Sequence, residues 1–163
     1  MPTRFLLTSA FLVLVSLACT SSRVDPAVQV STSDPALHMR WHATVASPSS
    51  LAGAVQMRGT ATMEPGADGT STLFTVELSN ASSGGVHPWA AHRGQCGSGM
   101  DGGVLGSPDA YPPLSVNADG LATATATVPM HTPMTGNYFI AVLASEANYE
   151  VIVACGNLAA PTR

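Results

Sequence analysis

Beyond residue 37 the chain alternates apolar and polar positions with a period of two, the signature of strands that bury one face. Over 38–45, Met39, Trp41, Ala43 and Val45 alternate with His38, Arg40, His42 and Thr44. Over 55–64, Val55, Met57, Gly59, Ala61 and Met63 alternate with Gln56, Arg58, Thr60, Thr62 and Glu64. Over 70–79 the buried set is Thr72, Phe74, Val76 and Leu78, and over 121–128 it is Ala122, Ala124, Ala126 and Val128. Residues 137–144 form the most apolar strand, with Tyr138, Ile140 and Val142 opposed by Phe139, Ala141 and Leu143. A short link at Ser145–Asn148 leads to a last strand, Tyr149–Cys155, and 114–116 reads as a further short strand. Glycine, proline and asparagine punctuate the intervals at 65–69, 80–85 and 117–120. No helical stripe exists outside the first eighteen residues. Seven or eight short strands at regular spacing predict an all-β sandwich or Greek-key barrel.

The least ordinary residues gather in Val86-His87-Pro88-Trp89-Ala90-Ala91-His92-Arg93-Gly94-Gln95-Cys96. Read as one extended strand, it puts Trp89 and Ala91 on a buried face and Ala90 and His92 on the opposite one. Beyond Cys96, residues 97–113 hold five glycines and three prolines, and read as a long loop.

The amino terminus changes the picture. Arg4 precedes an apolar run, Phe5–Leu17, that is short for a bilayer span. The run ends in Ser16-Leu17-Ala18-Cys19, which resembles a bacterial lipoprotein signal. That resemblance implies cleavage after residue 18, acylation of Cys19 and a lipid anchor, at roughly 0.8 kcal/mol per buried methylene. An ordinary secretory signal with an incidental cysteine is the alternative. Thr20, where an aspartate would favour inner-membrane retention, implies the outer membrane of a bacterial envelope. Residues 19–36 are rich in serine and polar side chains and read as a tether, leaving a domain at 37–160. The formal net charge of −4 becomes one unit more negative once Arg4 leaves with the signal. With no basic stripe to displace counterions, nucleic acid is not an expected partner.

With Cys19 assigned to lipid, Cys96 and Cys155 remain as an even pair in an exported chain, where a disulfide is favoured. Two free buried thiols are the alternative. Zinc would need further ligands at suitable spacing, and none is present.

Three landmarks then align. His87 and His92 lie on a strand just before Cys96. An Asn117-Ala118-Asp119-Gly120 turn separates two strands. The chain approaches its end in Val153-Ala154-Cys155-Gly156-Asn157-Leu158. Together these resemble the copper–zinc superoxide dismutase family over roughly 40–158. The resemblance implies an eight-stranded Greek-key β-barrel with shortened loops and a Cys96–Cys155 bridge. It also implies that the family's metal site has degenerated in this chain. Ala90 stands where the family has a copper ligand, and His92 matches the other copper ligand of that strand. His87 matches a histidine that is structural in the family. Leu143 replaces another copper-binding histidine, and Ile152 replaces the arginine that guides substrate. The 97–113 loop, where zinc ligands belong, holds no histidine; Asp101 and Asp109 lack the zinc-binding spacing. Redox copper needs several converging imidazoles, and a single retained one does not supply them.

The expectation is therefore a membrane-anchored envelope lipoprotein with no cofactor and a binding or structural role. Ala90, Leu143 and Ile152 would form an exposed apolar patch edged by His92, open to a protein partner. The alternative is a copper-binding protein or weak superoxide dismutase. It would use His92 with His87, His38, His42 or the Met130-His131-Thr132-Pro133-Met134 loop, whose thioethers suit cuprous copper. His92 with Asp101 or Glu146 has the parts of a general base, but no nucleophile elbow accompanies it.

Overall fold

The computed structural model describes residues 39–51 and 56–161. His38, Val55, Cys19 and the segments read as signal and tether lie outside the described residues. Nine strands follow in order: β1 (Trp41–Ala46), β2 (Arg58–Pro65), β3 (Thr72–Ser79), β4 (Val86–His87), β5 (Trp89–Arg93), β6 (Leu114–Ser115), β7 (Ala122–Val128), β8 (Tyr138–Ser145) and β9 (Asn148–Leu158). Seven of them form one sheet, ordered β5-β8-β9-β1-β2-β3-β7, while β4 pairs with β6. Every pairing is antiparallel. The seven-stranded sheet curls into a half-barrel, and the described residues contain no α-helix.

Alternation decides the faces in β1, β3 and β7. In β1 every odd position is buried and every even one exposed. The same holds in β7, where alanines and Val128 face the core and Thr123, Thr125 and Thr127 face water. Registers such as Ala61↔Val76 and Val76↔Ala124 line the inward residues up across three strands. Trp41, Met63, Phe74, Leu114 and Ile140 fill the space they enclose, each at most 1% exposed. At roughly 25 cal/mol per Å² of apolar surface removed from water, this layer is the main source of stability.

Most strand boundaries differ from the sequence reading by one to three residues, and four differences have a clear cause. β1 begins at Trp41 because its pairing with β2 begins at Trp41↔Met63. β2 runs from Arg58 to Pro65, matching its partner Thr72–Ser79 in β3. The strand expected over 86–93 is broken into β4 and β5 at Pro88, which has no N–H to give a ladder. β9 continues past Cys155 to Leu158, because Tyr138, Phe139 and Ile140 of β8 offer it partners.

The Met130–Met134 segment caps one end of the half-barrel. The Thr72 hydroxyl donates to the Met130 carbonyl (2.7 Å), and the Trp41 indole donates to the Pro133 carbonyl (3.0 Å). Thr132 is buried against Thr72, whereas His131 and Met134 are exposed. Backbone carbonyls and one threonine fasten this end, with Met130 only partly buried against the core. At the turn before β7, the Asn117 side-chain oxygen accepts from the amides of Asp119 (3.0 Å) and Leu121 (2.9 Å). Gly120 there takes a positive φ of 73°.

Candidate functional site

β8 departs from the one-faced pattern: five consecutive residues, Phe139–Leu143, are buried. Ile140 and Val142 belong to the main core, while Phe139, Ala141 and Leu143 form a second cluster with Cys155 on the other face. A sheet so far apolar on both sides needs a cover on its outer face. The 97–113 loop supplies it.

Three things hold the loop there. The Cys96–Cys155 disulfide ties its start to β9, with Cα atoms 5.8 Å apart. Residues 103–105 then run antiparallel beside β5, where the Arg93 amide donates to the Gly103 carbonyl (3.1 Å) and the Leu105 amide to that of Ala91 (2.8 Å). Gly102 allows this approach, since a Cβ there would strike the Arg93 carbonyl. Lastly, the loop's end is anchored by aromatics. The Trp89 indole donates to the Pro112 carbonyl (2.7 Å), and the Tyr111 hydroxyl donates to that of Leu105 (2.7 Å). The Trp89 and Tyr111 rings meet edge to face at 5.2 Å. Burial pushes the Tyr111 phenol well above its ordinary value, so it remains a donor.

Between loop and sheet lies a cleft of about 330 Å³. Ala90 and His92 of β5, Leu143 of β8, Met100 and Val104 of the loop, and Tyr149 of β9 contribute to its walls. No charged side chain lines it among the described residues. Three of the four positions singled out from the sequence, Ala90, His92 and Leu143, thus come together. The fourth, Ile152, does not line the cleft: it is paired with Leu143 in the register and packs on the second cluster.

The expected open apolar patch is corrected in one respect. Ala90 is 8% exposed, His92 5% and Leu143 6%, because the loop folds back over them. Strand parity assigned these side chains to the outer face but carried no information on what covers that face.

The two histidines of the strand have different surroundings. His87, on β4, donates from Nδ1 to the Leu143 carbonyl (3.0 Å), while the Leu143 amide donates to the Pro88 carbonyl (2.8 Å). The pair of bonds bridges the break at Pro88 to β8. His92 instead stacks on Phe139, its partner across the β5–β8 ladder, with ring centroids 5.3 Å apart and planes at 24°. Its Nδ1 is sealed from solvent and has no hydrogen-bond partner among the described residues. Burial holds the ring's pKa below 6.5, which leaves it neutral at neutral pH.

His42 and His131 are exposed and do not line the cleft, and the acidic side chains Asp101, Asp109 and Glu146 are at the surface or partly so. Among the described residues no three histidine, cysteine, aspartate or glutamate side chains gather at a point where a metal ion would sit. Among the cleft residues that sequence reasoning missed are Met100, Val104, Tyr111 and Tyr149. The first three were visible only as apolar residues in a glycine- and proline-rich loop, and Tyr149 as the first residue of a strand. The chain matches no protein-family model and no curated protein.

Proposed function

We propose that this chain is a lipid-anchored protein of a bacterial envelope, built on the copper–zinc superoxide dismutase scaffold and used to bind a ligand without metal catalysis. The observation that carries the reading is the cleft itself. Ala90, His92 and Leu143, three positions at which the resemblance expects copper ligands, converge on one apolar space and bring a single imidazole to it. Copper held for redox cycling needs several such donors around one ion. The wall offers no nucleophile paired with a base, and no cationic funnel for an anionic substrate.

The strand order supports the scaffold. Joined across Pro88, β4 and β5 count as one bent strand, giving eight. From β3 the chain crosses to that bent strand on the far side and returns through β6 to place β7 beside β3. A long return connection of this kind is consistent with a Greek key. The Cys96–Cys155 bridge lies where the resemblance predicts it. Anchoring through Cys19 and residence at the outer membrane rest on the Ser16–Cys19 motif and Thr20.

The test is metal analysis of the full chain, purified in detergent and dialysed after incubation with copper and zinc. The expected result is well under one copper per chain, with superoxide decaying at the buffer rate. Stoichiometric copper with fast dismutation would overturn the reading in favour of a weak superoxide dismutase, and stoichiometric copper without it in favour of a copper carrier. Labelled palmitate should enter the chain in bacteria and be lost in Cys19→Ser; an unlabelled wild type rejects the anchor.

A further inference from the structure

The cleft has a definite size, no charged side chain and few polar side chains, and together these restrict what it holds. Its volume of about 330 Å³ is at the lower end of small-molecule sites and about twice that of an apolar cavity that takes one benzene ring. A compact molecule of two fused rings fits that space. With no charged side chain in the wall and a neutral imidazole, an ionised group would enter without a counter-charge, at a high desolvation cost. The occupant is therefore uncharged.

The imidazole sets the polar requirement. His92 is 5% exposed, and its Nδ1 is buried from solvent with no hydrogen-bond partner among the described residues. A neutral imidazole has one N–H and one lone pair. Orphaned buried N–H groups are rarer than orphaned acceptors, so the sealed Nδ1 carries the lone pair and the proton resides on Nε2. Stacking on Phe139 fixes the ring plane. His92 thus presents a donor to a cleft whose other buried side chains are alkyl or aromatic, the Tyr111 hydroxyl being spent on the Leu105 carbonyl and Tyr149 lying at the exposed rim.

We infer that the cleft binds an uncharged, mostly apolar molecule of bicyclic size, which accepts a hydrogen bond from His92 through a carbonyl or similar oxygen. The inference rests on the proposed reading of this site as a metal-free binding cleft, and it adds the ligand class.

Binding is measured on the full chain in lipid nanodiscs, with empty discs subtracted, using three probes of similar size. These are 1-tetralone (a neutral ketone), naphthalene (no acceptor) and 1-naphthoate (an anion). Saturable one-to-one binding of the ketone is expected, with naphthalene weaker by about three- to tenfold, the worth of one net hydrogen bond, and naphthoate weaker still. His92→Phe should remove the preference of ketone over hydrocarbon while retaining both. Ala90→Leu, which fills the cleft, should abolish both, with the strand signature in circular dichroism unchanged. Equal affinity for ketone and naphthalene in the wild type overturns the role of His92. Tightest binding of naphthoate overturns the charge argument. No saturable binding of either neutral probe overturns the ligand class. None of these outcomes touches the metal-free reading, which fails separately if copper binds stoichiometrically and His92→Phe removes it.

Discussion

The two ends of the seven-stranded sheet solve the same problem differently. At the β1-β2-β3-β7 end, one face is core and the other is a polar face rich in threonine, among them Thr44, Thr60, Thr75 and Thr125, in direct contact with water. At the β5-β8-β9 end, β8 is apolar on both faces, and a disulfide-tied loop makes a second layer over it. A sheet covered once offers only open surface hollows, such as those over Thr60 and Leu121 or over Leu73 and Thr127. A sheet covered by a loop can enclose a space, and the cleft is at this end. The contrast shows why the cleft forms where the alternation of β8 fails, and not where it is cleanest.

The largest blow to that contrast is removal of the bridge. Cys96→Ser with Cys155→Ser reopens a loop spanning 59 residues in the unfolded chain and should cost about 4 kcal/mol. Urea denaturation of the double variant checks it, and a change below about 1 kcal/mol would mean the loop is held by its backbone bonds and aromatics alone. Next comes a matched pair of truncations. Leu143→Ala, in the covered end, should cost about 2–5 kcal/mol through lost burial and an enlarged cavity. Thr125→Ala, on the open face, should stay within about 0.5 kcal/mol. Similar costs at the two sites would erase the distinction between the ends.

Acid separates the ends further. Burial keeps His92 below 6.5 in the fold, so between that value and its folded pKa the unfolded chain binds more protons. Its contribution is intact above pH 6.5 and is lost as pH falls from there toward the folded pKa. In His92→Phe the melting temperature should decline less steeply with acid just below pH 6.5, as followed by circular dichroism; an unaltered slope would place the titration elsewhere.

The smallest effect belongs to the turn between β2 and β3. There the Asp68 carboxylate accepts from the Ser71 hydroxyl (2.7 Å) and from the amides of Thr70 (2.9 Å) and Ser71 (2.8 Å). The Ser71 hydroxyl first, then the amides, hold its pKa down at about 2. Its contribution is present above pH 3.8 and is lost as pH falls through about 2. Asp68→Asn should therefore flatten only this lower limb of the melting curve, leaving the His92 limb unchanged. A shift of both limbs would show that the two ends do not titrate independently.

Legibility followed the same division. Trp41, Phe74, Val76, Ala124 and Val128 could be placed in the core from alternation alone, because a strand with one wet face must separate its residues by parity. Asn117–Gly120 declared its turn through side-chain and backbone chemistry that acts within four residues. Pro88 was visible, yet its breaking of the strand was not, because whether a missing N–H matters depends on which partner lies beside it. The 97–113 loop was legible only as glycine and proline. Its pairing with β5 through Gly103 and Leu105 joins residues that no local pattern connects.

What the sequence determined by itself is local: strand positions, inward faces, turns and the pairing of Cys96 with Cys155. Each follows from chemistry within a few residues or from counting. The tertiary structure alone decided that Ala90, His92 and Leu143 share one cleft beneath the loop, and that His92 keeps a buried nitrogen with no partner among the described residues. Enclosure depends on what packs over a face, and that is settled by contacts between segments far apart in the chain.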